Sequence, residues 1–411
     1  MRLLVAATVA AALGLAAASP AFADTLKVPS ESYPDIQTAV TAAADGDTVS
    51  VAPGTYNEIV MVMDKTNLVI RGRARPVMNG PGFAFTVMGG SNVTITGFDI
   101  AGGGGGVSAT MASGVTVSKV NVAAPNTLAF EFLQCAGAVL TRCQVTDSMA
   151  VVVQDTTSTG LVVEKCRFTG NGPGDVLRLS PNTGTNLGSN GAVVAKNRIE
   201  GGSTAIRFGG TVAFIEKNTL LGVTGSGIVF DGTTDTTGTV VSKNKIESAG
   251  GNDGILSYAD FITVASNTLT ACGINMDGSD ATVDRNTVRG AIGNGFTLSV
   301  ADCIVTRNKV LGAAGFGIVM TGGIQTVDRN KVVGVNASGI YLLFGTAGST
   351  LTGNSAVGCD EYGILVNDSG MTVTGNRAAG NGQADYGDSN ADGVNTLSNN
   401  RFGTTAFSVP N

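Results

Sequence analysis

Side chains able to do acid–base chemistry recur at intervals between residues 131 and 277. Carboxylates beside arginines could act as acids, bases or nucleophiles, while the guanidinium groups hold a carboxylate of the substrate. A tyrosine and amide side chains accompany them. The set is Glu131, Gln154, Asp155, Asp175, Arg178, Arg207, Asp231, Tyr258, Asn275 and Asp277. The alternative interpretation is a solvated face of a structural protein, where such residues are also expected.

These residues belong to a repeat that is marked by asparagine. From residue 194 to 402, apolar runs flank an Asn at spacings of 19 to 26 residues, by subtraction of their numbers. A period in this range, repeated this often, is typical of a solenoid. The repeated asparagines are Asn197, Asn218, Asn244, Asn267, Asn286, Asn308, Asn330, Asn354, Asn376 and Asn399.

Each repeat holds two or three short runs with apolar residues at alternate positions, such as 227–231 and 239–244. This alternation predicts half-buried strands, with Gly and Asn in the joints between them. About 22 residues at ~3.3 Å per residue can close one turn of a three-sided coil. The sequence therefore predicts an all-β parallel β-helix solenoid of about 15 coils, with the asparagines stacked as a hydrogen-bonded ladder.

This pattern resembles the right-handed parallel β-helix proteins of the pectin lyase-like superfamily. The N-terminal region adds to the resemblance, because an amphipathic helix precedes residues 49–58, whose sequence includes Pro-Gly-Thr-Tyr-Asn-Glu. Ile36, Ala39, Val40 and Ala43 fall on one face of that helix. The resemblance, which extends to pectin methylesterases, implies that the helix caps the open end of the first coil.

We expect four regions along the chain. Residues 1–23 have the basic start, apolar stretch and Ala-Phe-Ala cleavage site of a secretory signal peptide. The N-terminal cap covers 24–48, the β-helix 49–402 and a C-terminal tail 403–411. No second hydrophobic span follows, so we expect a mature chain with no membrane span, in the periplasm or outside the cell. We also expect a monomer. Acidic residues outnumber basic ones by 31 to 25, which disfavours a nucleic-acid partner.

Six cysteines are spread through the chain. Cys143 and Cys166 occupy the position that Asn takes in later repeats, so we expect them to stack on neighbouring coils. An exported protein can form disulfides, but we favour two buried thiols at these positions.

The strand that begins near Phe130 aligns from coil to coil with later strands. We expect Phe130, Val151 and their equivalents to face the core, and the residues one and three positions further on to face solvent. This places Val152 in the first outward column and Gln154 in the second. Polar groups concentrate on this face between residues 131 and 277, which is the predicted site.

A local match to pectin methylesterases sharpens this prediction. The matching residues follow one another at the family's coil spacing: Gln134, then Gln154-Asp155-Thr156, then Asp175. The chain lacks Trp and several of the family's flanking motifs. The roles that the resemblance implies are acid/base for Asp155, nucleophile for Asp175, oxyanion donor for Gln154, and the family's arginine for Arg178 or Arg207.

The resemblance implies binding or processing of a polysaccharide, with a uronate polymer favoured. Because the chain has no His, polygalacturonases and the histidine-dependent alginate epimerases fit less well, whereas calcium-dependent lyases remain open. The alternatives are a non-catalytic structural or envelope protein and a methylesterase-like carbohydrate esterase. The substrate-binding residues on this interpretation are Glu131, Asp231, Tyr258, Asn275 and Asp277.

Two further patterns concern ions. Asp388, Asn390 and Asp392 match the start of a calcium loop, although Asn399 stands where its bidentate Glu belongs. Ordinary turn composition is the alternative, and we expect no other cofactor. A basic row precedes the ladder and could bind an anionic polymer, although a solvated corner is the favoured interpretation. Its members are Lys196, Lys217, Lys243, Arg285, Arg307 and Arg329.

Overall fold

The computed structural model describes residues 23–101, 104–180, 189–231, 237–248, 250, 253–299, 301–391 and 393–407. Through these residues the chain winds into about 16 turns, and its strands stack into three parallel sheets. The predicted all-β parallel β-helix is confirmed. Within the part described, the chain contains one short α-helix, Ile36–Ala42.

Each turn contributes one strand to each sheet in the order A, B, C. Sheet A consists of Thr25–Val28, Thr48–Val51, Val69–Gly72, Thr94–Thr96, Thr116–Ser118, Val139–Thr141, Val162–Glu164, Ala192–Ala195, Ala213–Glu216, Val240–Ser242, Thr263–Ala265, Thr282–Asp284, Ile304–Thr306, Thr326–Asp328, Thr350–Thr352, Thr372–Thr374 and Thr396–Ser398. Sheet B consists of Thr55–Tyr56, Val77–Met78, Asp99–Ile100, Asn121–Ala123, Gln144–Thr146, Arg167–Asn171, Arg198–Gly201, Thr219–Val223, Lys245–Ser248, Thr268–Thr270, Thr287–Ala291, Lys309–Ala313, Lys331–Val335, Ser355–Val357, Arg377–Ala379 and Arg401–Phe402. Sheet C consists of Val60–Met63, Phe85–Met88, Val107–Thr110, Phe130–Leu133, Val153–Thr156, Asp175–Leu179, Thr204–Phe208, Ile228–Phe230, Asp253–Ser257, Gly273–Met276, Phe296–Ser299, Ile318–Thr321, Ile340–Leu342, Tyr362–Val366, Ala384–Asp388 and Thr405–Phe407.

The predicted asparagine ladder runs through the corner between sheets A and B. Each buried Asn donates from Nδ2 to Oδ1 of the next, as Asn286 does to Asn308 at 3.1 Å. The last member is Asn400, which accepts from Asn376, and not Asn399 as predicted. Asn399 instead takes a left-handed conformation with φ 55°, one residue before the ladder. With two consecutive asparagines, residue type alone could not decide which one faces inward.

Two cysteines continue this column towards the N-terminus as buried thiols. Cys143 and Cys166 are both free, and the backbone N–H of Cys166 donates to Oδ1 of Asn197, the first ladder residue. Burial raises the pKa of the Cys143 thiol, and the neighbouring Cys166 adds to that rise. The prediction of two stacked thiols is confirmed.

The helix covers the open edge of the first coil. Asp35 caps its start by accepting a hydrogen bond from the backbone N–H of Thr38 at 2.7 Å. The side-chain amide of Gln37 then pairs with the backbone groups of Met61 that a further strand would otherwise bind. Its Oε1 accepts from the N–H of Met61 at 2.6 Å, and its Nε2 donates to the carbonyl of Met61 at 3.1 Å. Apolar residues of the helix are buried against the first coils, as the predicted face required: Ile36, Ala39, Val40 and Ala43.

The β-structure extends past both expected limits of the solenoid. Thr25–Val28 pairs with Thr48–Val51 before residue 49, and Thr405–Phe407 pairs with Ala384–Asp388 after residue 402. The predicted signal peptide, residues 1–23, lies outside the described residues except for its last member. Within the part of the chain that is described, no helix has the length and apolar character needed to cross a membrane.

Candidate functional site

Sheet C carries the predicted site, and its register corrects one strand. Phe130 pairs with Val153 and not with Val151. The outward assignment of Val152 was therefore wrong: this residue is buried, and Gln154 takes its place in the first outward column. Residues 151–153 are all Val, so alternation alone does not define their register. Through the polar patch, the first outward column reads Glu131, Gln154, Arg178, Arg207, Val229, Leu256 and Asn275.

At the centre of this patch, Asp175 binds arginines from two consecutive coils. Its Oδ2 accepts from Nε of Arg178 and from Nε of Arg207, each at 2.9 Å. Arg207 also reaches the next coil, where its Nη1 lies 2.6 Å from Oδ1 of Asp231. Within its own strand, its Nη2 lies 3.4 Å from Oγ1 of Thr204. The structure thus brings four predicted residues together on three coils.

The two carboxylates of this cluster differ in exposure. The side chain of Asp175 is 7% exposed, whereas that of Asp231 is 40% exposed. Burial alone would lower the pKa of Arg207, but the hydrogen bonds and charges of Asp231 and Asp175 outweigh it and raise that pKa. The guanidinium group of Arg207 therefore stays charged. The cluster lines an open depression of ≈ 300 Å³ together with Pro173, Gly174, Ser180 and Ser203.

Asp155 points into the coil and does not share this surface. It pairs with Phe132 and Leu179 in the inward column, and it is 0% exposed. Burial raises the pKa of Asp155, and hydrogen bonds from Ser158 and Ser189 act against that rise. A polymer on sheet C would not contact this carboxyl. The arrangement implied by the methylesterase match, with Asp155 and Asp175 on one surface, is not assembled.

Glu131 and Gln154 lie at the N-terminal end of the patch and are held by neighbouring coils. Oε2 of Glu131 accepts from Oγ of Ser108 at 2.8 Å. Nε2 of Gln154 donates to the carbonyl of Ser180 at 3.1 Å, one coil further on. Gln154 therefore lies between Glu131 and the arginine cluster, where it extends the polar strip.

Asp253 is a candidate site residue that the sequence analysis missed. Burial raises its pKa and the charge of Asp277 adds to the rise, while a hydrogen bond with Asn275 acts against it. Asp253 occupies the coil position of Asp175, two residues before the inward residue of its strand, and this shared position was the available signal. Tyr258 lies in the second outward column and is 42% exposed. The C-terminal end of the patch thus joins two carboxyl groups, an amide and a phenol.

The predicted calcium loop is organised differently from a cation site. Asp388 is 1% exposed, and its carboxylate oxygens accept hydrogen bonds from Tyr386, Asn390 and Asn395 at 2.9 to 3.0 Å. Amide nitrogens facing a carboxylate do not fit a bound cation. Asp392 lies outside the described residues. The described residues contain no group of three or more His, Cys, Asp or Glu side chains able to hold a metal ion.

A three-sheeted coil with a polar strip along one sheet defines the class of parallel β-helix repeat proteins. The family model described as "Right handed beta helix region" matches residues 60–187 and 272–407, more than half of the chain. The chain belongs to this right-handed β-helix family. No curated protein matches the sequence.

Solved structures resemble the chain in fold at low identity. The surface adhesin PfbA of Streptococcus pneumoniae is 13% identical, with 72% of this chain and 85% of that chain covered and a TM-score of 0.48. A family 28 exopolygalacturonase of Yersinia enterocolitica is 12% identical, with 91% and 74% covered and a TM-score of 0.44. The A-module of the Azotobacter vinelandii mannuronan C-5 epimerase AlgE6 is 15% identical, with 92% and 95% covered and a TM-score of 0.34.

Proposed function

We propose that the protein binds an acidic polysaccharide along sheet C, with the arginine cluster as the point of recognition. The observation that carries this is the position of Asp175, which fixes guanidinium groups from two consecutive coils beside an open depression. Arginine is suited to carboxylates because its planar guanidinium can donate two parallel hydrogen bonds. A uronate unit provides such a carboxylate.

The exposed ion pair between Arg207 and Asp231 is one that a ligand carboxylate can replace. Asp231 is 40% exposed, and pairs of this kind contribute about 0–1 kcal/mol. A ligand carboxylate can therefore replace Asp231 on Arg207 at little cost, while the nearly buried Asp175 keeps the guanidinium in place. Neighbouring coils lie about 4.8 Å apart, so successive units of an extended polymer can meet successive coils.

A second candidate function is acid–base processing of the same polymer. Asp253 favours it, because a carboxyl group with a raised pKa beside a second carboxylate is a candidate proton donor. The esterase alternative loses its acid/base residue, since Asp155 lies in the core. Export, inferred from the sequence of residues 1–23, remains part of the proposal.

The test is a calorimetric titration of oligogalacturonate into the protein, with a neutral oligoglucan as the comparison ligand. We expect binding of the acidic oligomer only, weakened roughly tenfold or more by Arg207→Gln. Arg71→Gln, on the exposed face of sheet A, is the matched control and should not change it. Equal binding of both oligomers, or no effect of Arg207→Gln, would contradict the proposal.

Catalysis is tested separately by incubating pectin, polygalacturonate and alginate with the protein, with and without calcium. Shorter or unsaturated products that disappear in Asp253→Asn, while oligomer binding persists, would support acid–base processing. Methanol release from pectin that disappears in Asp175→Ala would restore the esterase interpretation. Binding without any product would leave a carbohydrate-binding protein.

A further inference from the structure

The corner between sheets A and B carries a basic ridge, which is interrupted at the coils of Ser266 and Gly353. Its first column is the residue just before each ladder position, and its second column is the first residue of each sheet B strand. Sixteen of the 25 Lys and Arg residues in the chain lie in these two columns. The first column holds Lys119, Arg142, Lys165, Lys196, Lys217, Lys243, Arg285, Arg307 and Arg329. The second holds Arg167, Arg198, Lys245, Lys309, Lys331, Arg377 and Arg401.

The backbone of the first column makes these cations unexpected. All nine have φ between 53° and 59°, the left-handed region that disfavours residues with a Cβ. The same corner takes glycine at Gly97, Gly353 and Gly375, also with positive φ, so the fold itself accepts the residue that suits this conformation. A long cation repeated here points to a requirement for charge and not for backbone geometry.

The ridge is also only partly neutralised. Seven carboxylates lie in or beside its columns: Asp99, Glu164, Glu200, Glu216, Glu247, Asp284 and Asp328. Six of the ridge cations form ion pairs, for example Lys217 with Glu216 at 3.2 Å and Arg307 with Asp284 at 2.8 Å. Ten form none within the described residues. The chain has a formal net charge of −6, yet one corner concentrates positive charge. Like charges stacked on neighbouring coils repel one another, so this arrangement costs stability.

We propose that this ridge is a second binding surface, which holds a long anionic polysaccharide parallel to the solenoid axis. This surface is separate from the site on sheet C, because the ridge lies at the corner between sheets A and B. Outside the two interruptions, coils about 4.8 Å apart carry one or two ridge cations each, several of them in ion pairs, whereas duplex DNA carries a charge per ~1.7 Å of its axis. Among the described residues, neither ridge column contains an aromatic side chain of the kind that stacks nucleic-acid bases. Both observations favour a polyanion with one charge per sugar unit.

The experiment compares two triple variants of the full chain. Lys196→Gly, Lys217→Gly and Lys243→Gly together remove charge from three consecutive coils and place glycine where φ is positive. The off-ridge variant, Lys27→Gln with Arg71→Gln and Arg73→Gln, removes the same charge from exposed positions in the first coils, before the ridge begins at Lys119. Binding to high-molecular-weight alginate and to neutral dextran is measured at low and at physiological salt, together with the Tm.

We expect the ridge variant to bind alginate roughly tenfold more weakly at low salt, with a shallower salt dependence, and to keep or raise its Tm. The off-ridge variant should bind as the unchanged protein does. A variant with arginine in place of lysine at the same three ridge positions keeps the charge and should bind alginate as the unchanged protein does. A short oligogalacturonate should bind the ridge variant normally, which separates this surface from the site on sheet C.

Two results would overturn the proposal. One is equal alginate binding by both triple variants at every salt concentration. The other is tighter binding of a short DNA duplex than of alginate at equal salt, with loss in the ridge variant alone, which would assign the ridge to nucleic acid.

Discussion

The carboxylate of Asp175 lies 2.9 Å from Nε of Arg207, a residue of the next coil, and only 7% of the Asp175 side chain is exposed. This contact joins two coils and sets the direction of the guanidinium. A carboxylate in that position orients Arg207 even when the outer partner, Asp231, is displaced. The relationship leads to opposite expectations for the two aspartates.

Asp175→Asn should weaken both binding and stability. The amide cannot neutralise Arg178 and Arg207, so two partly buried guanidinium groups lose their common partner. Because both arginines keep access to solvent, we expect a loss of about 1–2 kcal/mol in the free energy of unfolding, less than for a fully buried pair. Affinity for oligogalacturonate should fall roughly tenfold. Thermal unfolding and calorimetric titration check these two effects, and an unchanged affinity would contradict the positioning role.

Asp231→Asn should have the opposite effect on an anionic ligand. Asp231 is the exposed partner of Arg207 and would compete with a ligand carboxylate for the same Nη1. Removing its charge should tighten binding of oligogalacturonate severalfold and leave the Tm nearly unchanged, since exposed pairs contribute little. Titration of the variant beside Asp175→Asn tests this. Weaker binding would show that Asp231 itself contacts the ligand.

Asn286→Ala should destabilise the solenoid strongly. Its Nδ2 donates to Oδ1 of Asn308 and to the carbonyl of Val264, and its Oδ1 accepts from the N–H and Nδ2 of Asn267. Each buried partner left unsatisfied costs about 1–3 kcal/mol, so we expect a total loss of about 3 kcal/mol or more. Hydrogen exchange at residues 264–308 and the Tm report the loss.

Asn400→Ala is the matched control at the end of the ladder. Asn400 is half-buried and donates to the carbonyl of Val373, with Asn376 on one side only. Its removal should lower the Tm by less than half as much. Equal losses at both positions would mean that stacking inside the ladder adds nothing beyond a single buried side chain.

Gln37→Ala should expose the edge of sheet C. Gln37 occupies both backbone groups of Met61 on the outer side of the first strand, Val60–Met63. Without it, the strand presents unpaired groups to another chain, and open edges promote self-association. Sedimentation velocity should show concentration-dependent dimers or larger species. Gln37→Glu keeps the acceptor for the N–H but loses the donor, so an intermediate effect is expected; monomers in both variants would show that the helix backbone alone protects the edge.

The sequence predicted the solenoid because its signals repeat. A period read from ten asparagines survives an error of one position, so Asn399 in place of Asn400 did not change the fold. The site depended on single strands, where such errors matter. The run of three valines at 151–153 left the register undefined, and a slip of two residues moved Gln154 to the wrong column. Alternation did not mark Asp253 as an outward residue, since it begins its strand two residues before Ile255, at a position that alternation assigns to the inward side.

Asp155 shows the remaining limit: alternation from Val151 put it on the inward side, the methylesterase match placed it in the site, and in the structure it faces the core. Burial raises its pKa above the ordinary value of 3.8. A carboxyl group with a raised pKa in the folded state stabilises the fold below its ordinary pKa, and that stability is lost as the pH rises through the raised value. At neutral pH the buried group therefore opposes folding relative to a neutral side chain of the same shape.

Asp155→Asn should consequently raise the Tm at pH 7, and the gain should shrink as the pH falls towards 3, where both side chains are neutral. Thermal unfolding of the two proteins between pH 3 and pH 8 measures this difference. Asp360→Asn, at an exposed position in a later coil, is the control and should show no such trend. A Tm gain that is independent of pH would mean that packing and not ionisation of Asp155 causes the change. A loss at pH 7 would mean that the charged carboxylate is satisfied inside the coil, because its hydrogen bonds from the serine hydroxyls then outweigh the cost of burying its charge.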